Sequence, residues 1–407
     1  MGSKGNDPKR SKPTNHSPFP STSMQFSSLS IPTLPPELIT EILSRLPVKS
    51  LLKFRCVSKY WLDVISSPEF IKTHLSLSFN NKEYTHNMFM FMFDRGLTLQ
   101  CCTLRSLFYQ PVTEAFDLDY PMKGNDLYTK LPRSDWILGS VNGLICLAAG
   151  KNDLFIGNPS IRKYRKLPDP RPRLKKFVSS PIYSFGYDEF HDDYKVVGVF
   201  YSYDSSDHAE VKIYSLKSDS WRSLDDCPSE VLLVGSGKFL NGKFHWDVDG
   251  KIISFDLGEE KWGKTMKQPC YGEGDFVIWL TVLASDLSIF CDYMRTLLDV
   301  WVMKEYGVKE SWTKMYTINC PGDEVDICHL LCPLLFTSKK GEILVVFGSV
   351  SMIYNPKDES IRYSEVINNF DGDYEAEIYV ESLVSPFSTQ GLEDARKRKS
   401  LKNIRSR

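Results

Sequence analysis

Two rhythms of apolar residues divide the chain. From Leu34 to about Leu77 apolar side chains return every three or four positions, the spacing of a helix with one buried face. Leu38, Ile39, Ile42, Leu43 and Leu46 fall within an arc of about 140° at 100° per residue. Pro35 and Pro36 stand where a helix can begin, and Pro47 stops it. A second segment runs from Val48 to Cys56. A third, Val57 to Ser66, spreads Val57, Tyr60, Trp61, Leu62, Val64 and Ile65 over about 200° of its circumference, and Pro68 resets the chain before EFIKTHL. Three such helices carry more apolar surface than about 40 residues can hide among themselves. The pattern predicts a small helical unit that lays its excess on another surface.

Beyond this unit, Gly, Asn and Asp punctuate short apolar runs and helical periodicity does not return. One motif recurs: an aromatic-rich strand, a polar turn, then an aromatic leading a second short strand. It occurs in FIGNPSIRKYRKLP (Phe155 to Pro168), VKIYSLKSDSWRSL (Val211 to Leu224), KIISFDLGEEKWGK (Lys251 to Lys264), LDVWVMKEYGVKESWTKMY (Leu298 to Tyr316) and SMIYNPKDESIRYSEV (Ser351 to Val366). The anchors Tyr164, Trp221, Trp262, Trp312 and Tyr363 are 57, 41, 50 and 51 positions apart. TLRSLFYQPVTEAFDL (Thr103 to Leu118) reads as a sixth copy, two strands and a turn without the Trp. Repeats of about 40–50 residues with several strands each are the pattern of a β-propeller. Asn142-Gly143, Asn241-Gly242 and Asp249-Gly250 predict tight hairpin turns. The expected fold is thus a small three-helix unit followed by an all-β, propeller-like domain of about six blades.

Composition sharpens this picture. Aromatic residues make up 13% of the 407 positions, which favours packed strands. The net charge of −1 is unevenly spread: +3 on residues 1–31, +5 on residues 393–407, leaving −9 on the body between. An acidic body argues against nucleic acid as the main partner. Residues 1–31, rich in Ser, Pro, Lys and Asn, read as a disordered segment, and RKRKSLKNIRSR (Arg396 to Arg407) as a basic disordered tail. Short basic runs match nuclear import signals as well as solubilising ends. Ten cysteines lack a framework spacing, the N-terminal residues show no secretory h-region, and no run of about 18 apolar residues offers a membrane span. Cytoplasm, nucleus or both is the expected setting.

Signals of catalysis or metal binding are weak. Gly237 to Phe244 copies the spacing of a phosphate-binding loop, but Phe244 stands where Ser or Thr would hold magnesium, and the surroundings read as a hairpin. Cys328, His329 and Cys332 lack a second pair at finger-like spacing and lie in an apolar run. Cys101-Cys102 reads as strand filling. DEFHDD (Asp188 to Asp193) reads as a solvated acidic turn without calcium-loop spacing. No G-x-S-x-G elbow occurs. No catalytic residue, cofactor or metal is expected.

The segment LPPELITEILSRLPVKSLLKFRCVSKYWLDVISSPEFIKTHL resembles the F-box. The family pattern is carried by Leu34 and Pro35, by Arg45, Leu46 and Pro47, by Ser50, Leu51, Phe54, Arg55 and Val57, then by Lys59, Trp61, Pro68 and Phe70, with Lys53 where Arg is frequent. Downstream, GSVNGLICL, GNPSIRKYRKLP, FGYDEFHDDYKVV, VKIYSLKSDSWR and FLNGKFHWDVDGKIISFDL resemble the type 1, kelch-like F-box-associated domain of plant F-box proteins, such as the S-locus and immune-regulatory groups. The chain nonetheless has no Gly-Gly doublet, on which the kelch motif depends, and a single Trp-Asp pair, Trp246-Asp247. The resemblance implies an F-box over residues 32–77 and the associated β domain over residues 89–387.

It also implies a role. The F-box helices would bind a Skp-type adaptor, and through it cullin and a RING subunit. The β domain would hold an unidentified protein substrate for ubiquitination and degradation. The chain would be a non-catalytic substrate receptor of a ubiquitin ligase. The residues expected at the adaptor are Leu34, Pro35, Leu38, Ile42, Leu43, Pro47, Leu51 and Leu52, with Val57 and Trp61 shared between contact and internal packing. Two other readings are an F-box scaffold acting outside the ligase and a ligand-binding propeller.

Overall fold

The helical rhythm produces four helices, α1 (Pro36–Ser44), α2 (Val48–Phe54), α3 (Lys59–Ser66) and α4 (Pro68–Phe79), one more than the pattern predicts. Pro68 does not merely reset the chain; it occupies the first turn of α4, where its missing N–H costs nothing, and the Ser67 hydroxyl accepts the Phe70 N–H at 3.2 Å. The computed structural model describes residues 34–81, 86–93, 98–110, 112–121, 123, 137–149, 153–172, 181–201, 209–224, 232–269, 277–293, 297–319, 334–347, 350–367 and 374–387. The two tails and the Cys328, His329 and Cys332 group lie outside these residues.

Six antiparallel sheets follow, each built around one of the sequence repeats. Blade 1 contains Ile137–Val141, Leu144–Ala149, Asp153–Asn158 and Lys163–Lys166; blade 2 contains Ile182–Asp188, Asp193–Tyr201, Ala209–Ser215 and Ser220–Leu224. Blade 3 contains Lys238–Leu240, Lys243–Val248, Lys251–Asp256 and Lys261–Trp262; blade 4 contains Val277–Leu283, Asp286–Tyr293, Leu297–Met303 and Trp312–Asn319. Blade 5 contains Leu334–Thr337, Ile343–Phe347, Val350–Asn355 and Ser360–Tyr363. The sixth blade joins the two ends of the domain: Tyr374–Val380 pairs antiparallel with Asn87–Phe93, which pairs with Leu99–Thr103 and then Phe116–Asp117. The first strands of neighbouring blades lie side by side around the centre. The result is a six-bladed β-propeller.

Its cohesion comes from one apolar core between each adjacent pair of blades. Strands in the middle of a blade are therefore buried on both faces, which explains unbroken apolar runs such as Leu144–Ala149. The aromatic anchors of the repeat all lie on fourth strands. Tyr164, Trp221, Trp262 and Trp312 each pack into the core shared with the preceding blade. The Trp221 indole donates to the Pro168 carbonyl at 2.6 Å and the Trp312 indole to Lys267 at 3.3 Å, so each ring also ties its blade to the connection before it. Tyr363 departs from the rule: it is exposed, and Ile361 takes its place in the core.

The three hairpins form as expected, Val141 pairing with Leu144, Leu240 with Lys243 and Val248 with Lys251. Both central residues of each turn have positive φ, for example 55° at Asn142 and 78° at Gly143. The second of these turns makes Gly237 to Phe244 part of a hairpin. The sixth repeat differs from the prediction. Leu104–Tyr109 forms a helix, α5, and not a strand. Thr103 caps it by accepting the Ser106 N–H at 3.1 Å, and Leu104, Leu107 and Phe108 fill the core between blades 5 and 6.

His245, on the second strand of blade 3, is fully buried. Its Nδ1–H donates to the Lys238 carbonyl at 3.2 Å, and in the neutral ring its Nε2 accepts from the Tyr306 hydroxyl at 2.7 Å. Burial holds its pKa down at about 4, against 6.5 for a free side chain; the Lys238 bond opposes this and Lys243 adds to it. The unfolded chain thus takes up a proton near pH 6.5 that the folded chain refuses until about pH 4, and stability falls as pH drops through that window. The stability gap between the native chain and His245→Gln is expected to narrow by up to about 1.4 kcal/mol per pH unit between these limits. Denaturant unfolding of both proteins at pH 7 and pH 5 reads it; an unchanged gap refutes the assignment.

Candidate functional site

The helical unit owes its shape to proline and serine punctuation. Pro35 and Pro47 precede α1 and α2 in extended conformation, and the Ser58 hydroxyl accepts the Trp61 N–H at 3.1 Å to start α3. Leu43, Val48, Leu51, Ile65 and Phe70 form the core, with Ile39, Leu46, Leu52, Phe54, Trp61, Val64 and Ile71 packed around it. Phe54 and Trp61 meet edge to face at 5.4 Å.

Part of the predicted apolar excess is covered by the propeller. Leu383, which follows the first strand of blade 6, Tyr374–Val380, enters the helical core, and Ile161 of the blade 1 turn packs against it. His74 on α4 takes the Leu46 carbonyl at 2.9 Å and meets the His86 ring, just before blade 6, at 5.9 Å. Lys72 reaches Asp192, in the first turn of blade 2, at 3.2 Å. Strand direction alternates within each blade, so the first and third connections lie on one rim and the second on the other. Ile161, Asp192, His86 and Leu383 all belong to the former rim. The helices are seated on one face of the propeller.

The rest of the excess faces solvent. Leu38 and Ile42, four residues apart on α1 and hence on one helical face, are each 50% exposed, Leu34 just before the helix is 52% exposed, and Val57 is 61% exposed. Pro35 and Pro47 are exposed as well. Of the ten residues the sequence reading assigns to the adaptor, Leu52 and Trp61 are half-buried and shared with the core. Leu43 and Leu51 are corrections: at 1% and 0% exposure they are core residues and can act only by supporting the surface. One step along a helix rotates a side chain by 100°, which carries Leu43 from the exposed line of Ile42 to the inner face. Tyr60 and Leu62 are exposed apolar residues that the assignment missed. Their signal was the width of the α3 arc, too broad for one inner face.

The acidic turn Asp188 to Asp193 is also corrected. Asp188 is buried, not solvated. Lys195 donates to Asp188 at 2.6 Å, to Glu260 of blade 3 at 2.8 Å and to the Leu257 carbonyl at 3.0 Å. Burial pushes the Asp188 carboxyl up, but bonds from Lys195 and His191 outweigh this and leave it below the usual carboxylate range. The turn is an ion-paired lock between blades. Cys101 and Cys102 are buried in a blade 6 strand, and burial pushes the Cys102 thiol up to about 12. Among the described residues no group of three or more His, Cys, Asp or Glu side chains could hold a metal ion, and no helix is long and apolar enough to cross a membrane.

Residues 31–73 match the F-box domain family and residues 134–386 match the F-box associated beta propeller domain. The chain is 30% identical to F-box protein CPR1 of Arabidopsis thaliana over 384 residues, covering 86% of this chain and 89% of that one. It is 31% identical over 364 residues to F-box/kelch-repeat protein At3g23880 of the same plant, covering 87% and 96%. F-box protein At4g22390, also from Arabidopsis thaliana, is 29% identical over 386 residues, covering 86% and 90%. Four helices with an uncovered apolar line, seated on a six-bladed ring, and these matches together assign the chain to the plant F-box proteins that carry an F-box-associated β-propeller domain.

Proposed function

We propose that this chain is the substrate-recognition subunit of a Skp-cullin-F-box ubiquitin ligase. The observation that carries the proposal is the exposed apolar set Leu38 and Ile42 on α1, with Leu34 just before it, on a helical unit whose core is already filled by other residues. Burying a Leu or Ile side chain is worth roughly 1.5–3 kcal/mol, so such a set favours a standing partner. The Skp-type adaptor fits that requirement and would connect the chain to cullin and the RING subunit. The propeller rim away from the helices would take the protein target. Leu232 and Val234 are exposed there, on the connection between blades 2 and 3, while Leu233 between them is buried and its N–H donates to the Tyr201 hydroxyl at 2.9 Å. Ubiquitin transfer would happen on other subunits; this chain supplies proximity, a gain in effective concentration. Cytoplasm or nucleus is the corresponding setting, consistent with the free thiols at Cys56, Cys101, Cys102, Cys146 and Cys291.

Co-expression with a Skp-type adaptor tests the reading. The native chain is expected to co-purify with the adaptor, and Leu38→Asp/Ile42→Asp to lose at least about 100-fold in affinity while its thermal transition is kept, since both side chains are half in solvent. Adaptor binding that survives the double substitution refutes the surface assignment. Accumulation of a target protein on deletion of the helices supports ligase function; unchanged protein levels favour a scaffold working outside the ligase.

A further inference from the structure

Arg55, in the connection between α2 and α3, is a cation in an unfavourable place. Its side chain is half-buried, and its Nε is fully buried without a hydrogen-bond partner among the described residues. No ion pair joins it to Glu37, Glu41, Asp63 or Glu69, the described carboxylates of the helical unit; Glu41 is held by Arg45, whose Nε donates to it at 2.9 Å. Burial lowers the Arg55 pKa, with no carboxylate acting against it. A partly desolvated guanidinium without a counter-charge is costly, and a buried donor without a partner is uncommon in folded chains.

The surroundings point outward. Cys56, Val57, Ser58, Lys59 and Tyr60 follow Arg55 and are all exposed. Lys53 and Lys59 flank it, exposed and without an ion pair among the described residues. The corner between α2 and α3 thus presents three cations beside apolar Val57 and Tyr60, on a body that is acidic as a whole. A partner covering Val57 would strip more water from Arg55. Unless it brought an anion, that loss would oppose binding.

We infer that Arg55 receives a carboxylate of the polypeptide that covers the helices, with Lys53 and Lys59 forming a cationic rim around the contact. The inference rests on the reading of this surface as the adaptor site and names the chemistry the adaptor presents there: an Asp, Glu or chain-terminal carboxylate in acidic surroundings, beside an apolar stripe. A guanidinium offers parallel N–H donors in the geometry of a carboxylate, which an ammonium does not.

The test titrates purified Skp-type adaptor against the full-length chain from about 50 to about 300 mM salt. Arg55→Gln is expected to weaken binding about 30-fold or more and to flatten the salt dependence, with Arg55→Lys falling between it and the native chain. Should Arg55→Gln fail to fold, Lys53→Ser/Lys59→Ser, confined to exposed side chains, is expected to lower the salt dependence alone. Affinity and salt dependence that stay native in Arg55→Gln, or in the Lys pair when it is the variant used, while Leu38→Asp/Ile42→Asp abolishes binding, overturn the carboxylate contact and leave the adaptor reading standing. An equal loss in Arg55→Gln and Arg55→Lys with a native salt dependence marks a packing role and also overturns it. Binding indifferent to all these variants defeats the adaptor reading itself.

Discussion

Replacing Lys195 by Met is expected to destabilise the propeller by about 3–5 kcal/mol. The ammonium is the hub of a buried ion cluster, its three bonds going to Asp188, Glu260 and the Leu257 carbonyl, with Arg222 as a second partner of Glu260. Asp188 is 2% exposed. Methionine fills similar volume but removes the ammonium that bridges two carboxylates across the seam between blades 2 and 3, leaving Arg222 on Glu260 alone. Asp188 retains the Phe190 and His191 N–H groups and the His191 ring, which keeps the loss finite. The melting temperature is expected to fall by about 5 °C or more. Two further results distinguish the ionic cause from a packing defect. The penalty should shrink on acidification, because carboxylates deprived of Lys195 have raised pKa values and protonate first in the folded state. The neutral triple variant Asp188→Asn/Lys195→Met/Glu260→Gln should recover much of the loss, since removing a buried cluster whole costs far less than removing one member. A penalty that is constant with pH and not relieved in the triple variant would refute this account.

The contrast between what the sequence disclosed and what it concealed follows the range of the interactions. Trp221, Trp262 and Trp312 announced the blades because each belongs to a local hairpin, and hairpins are written in neighbouring residues. The stretch Leu104–Tyr109 concealed its helix: Phe108 and Tyr109 suit a strand as well, and burial between two blades decides the matter in favour of α5. The Asp188 turn looked solvated because Glu260 and Lys195, 65 positions apart, meet only when two blades pack. At the candidate site, the apolar arcs of α1 and α3 were legible, but not which edge of each arc faces inward. The arcs alone therefore place Leu43 and Leu51 at the surface and do not single out Tyr60 and Leu62. The inner edge is set by α4 and by Leu383, and no periodicity within α1 to α3 encodes where those lie.

Leu383 is the residue through which ring closure and the helical unit depend on each other, and Leu383→Asp is expected to separate them. The strand Tyr374–Val380 closes blade 6. In the next four residues, the Glu381 N–H donates to the His86 carbonyl at 2.7 Å, Ser382 and Val384 receive the buried Asn158 amide, and the Leu383 side chain enters the helical core at 2% exposure. Asn158 holds this segment with four bonds: its Nδ2 lies 3.0 Å from both the carbonyl and the hydroxyl of Ser382 and 2.8 Å from the Val384 carbonyl, while its Oδ1 accepts the Ser160 N–H at 2.9 Å. A carboxylate at position 383 has no cation waiting in an apolar core, a substitution in the class that costs about 4 kcal/mol or more. Because the charge enters the helices while the Asn158 bonds remain, amide exchange should accelerate across residues 36–79 and stay near native in blades 2 to 5. Asn158→Ala should do the reverse. It removes four bonds at a buried site, exposes residues 374–387 and the first strands of blade 6 to exchange, and destabilises by about 2–4 kcal/mol. Identical exchange maps for the two variants would mean that the helices and the ring unfold as one unit, and that Leu383 is no boundary between them.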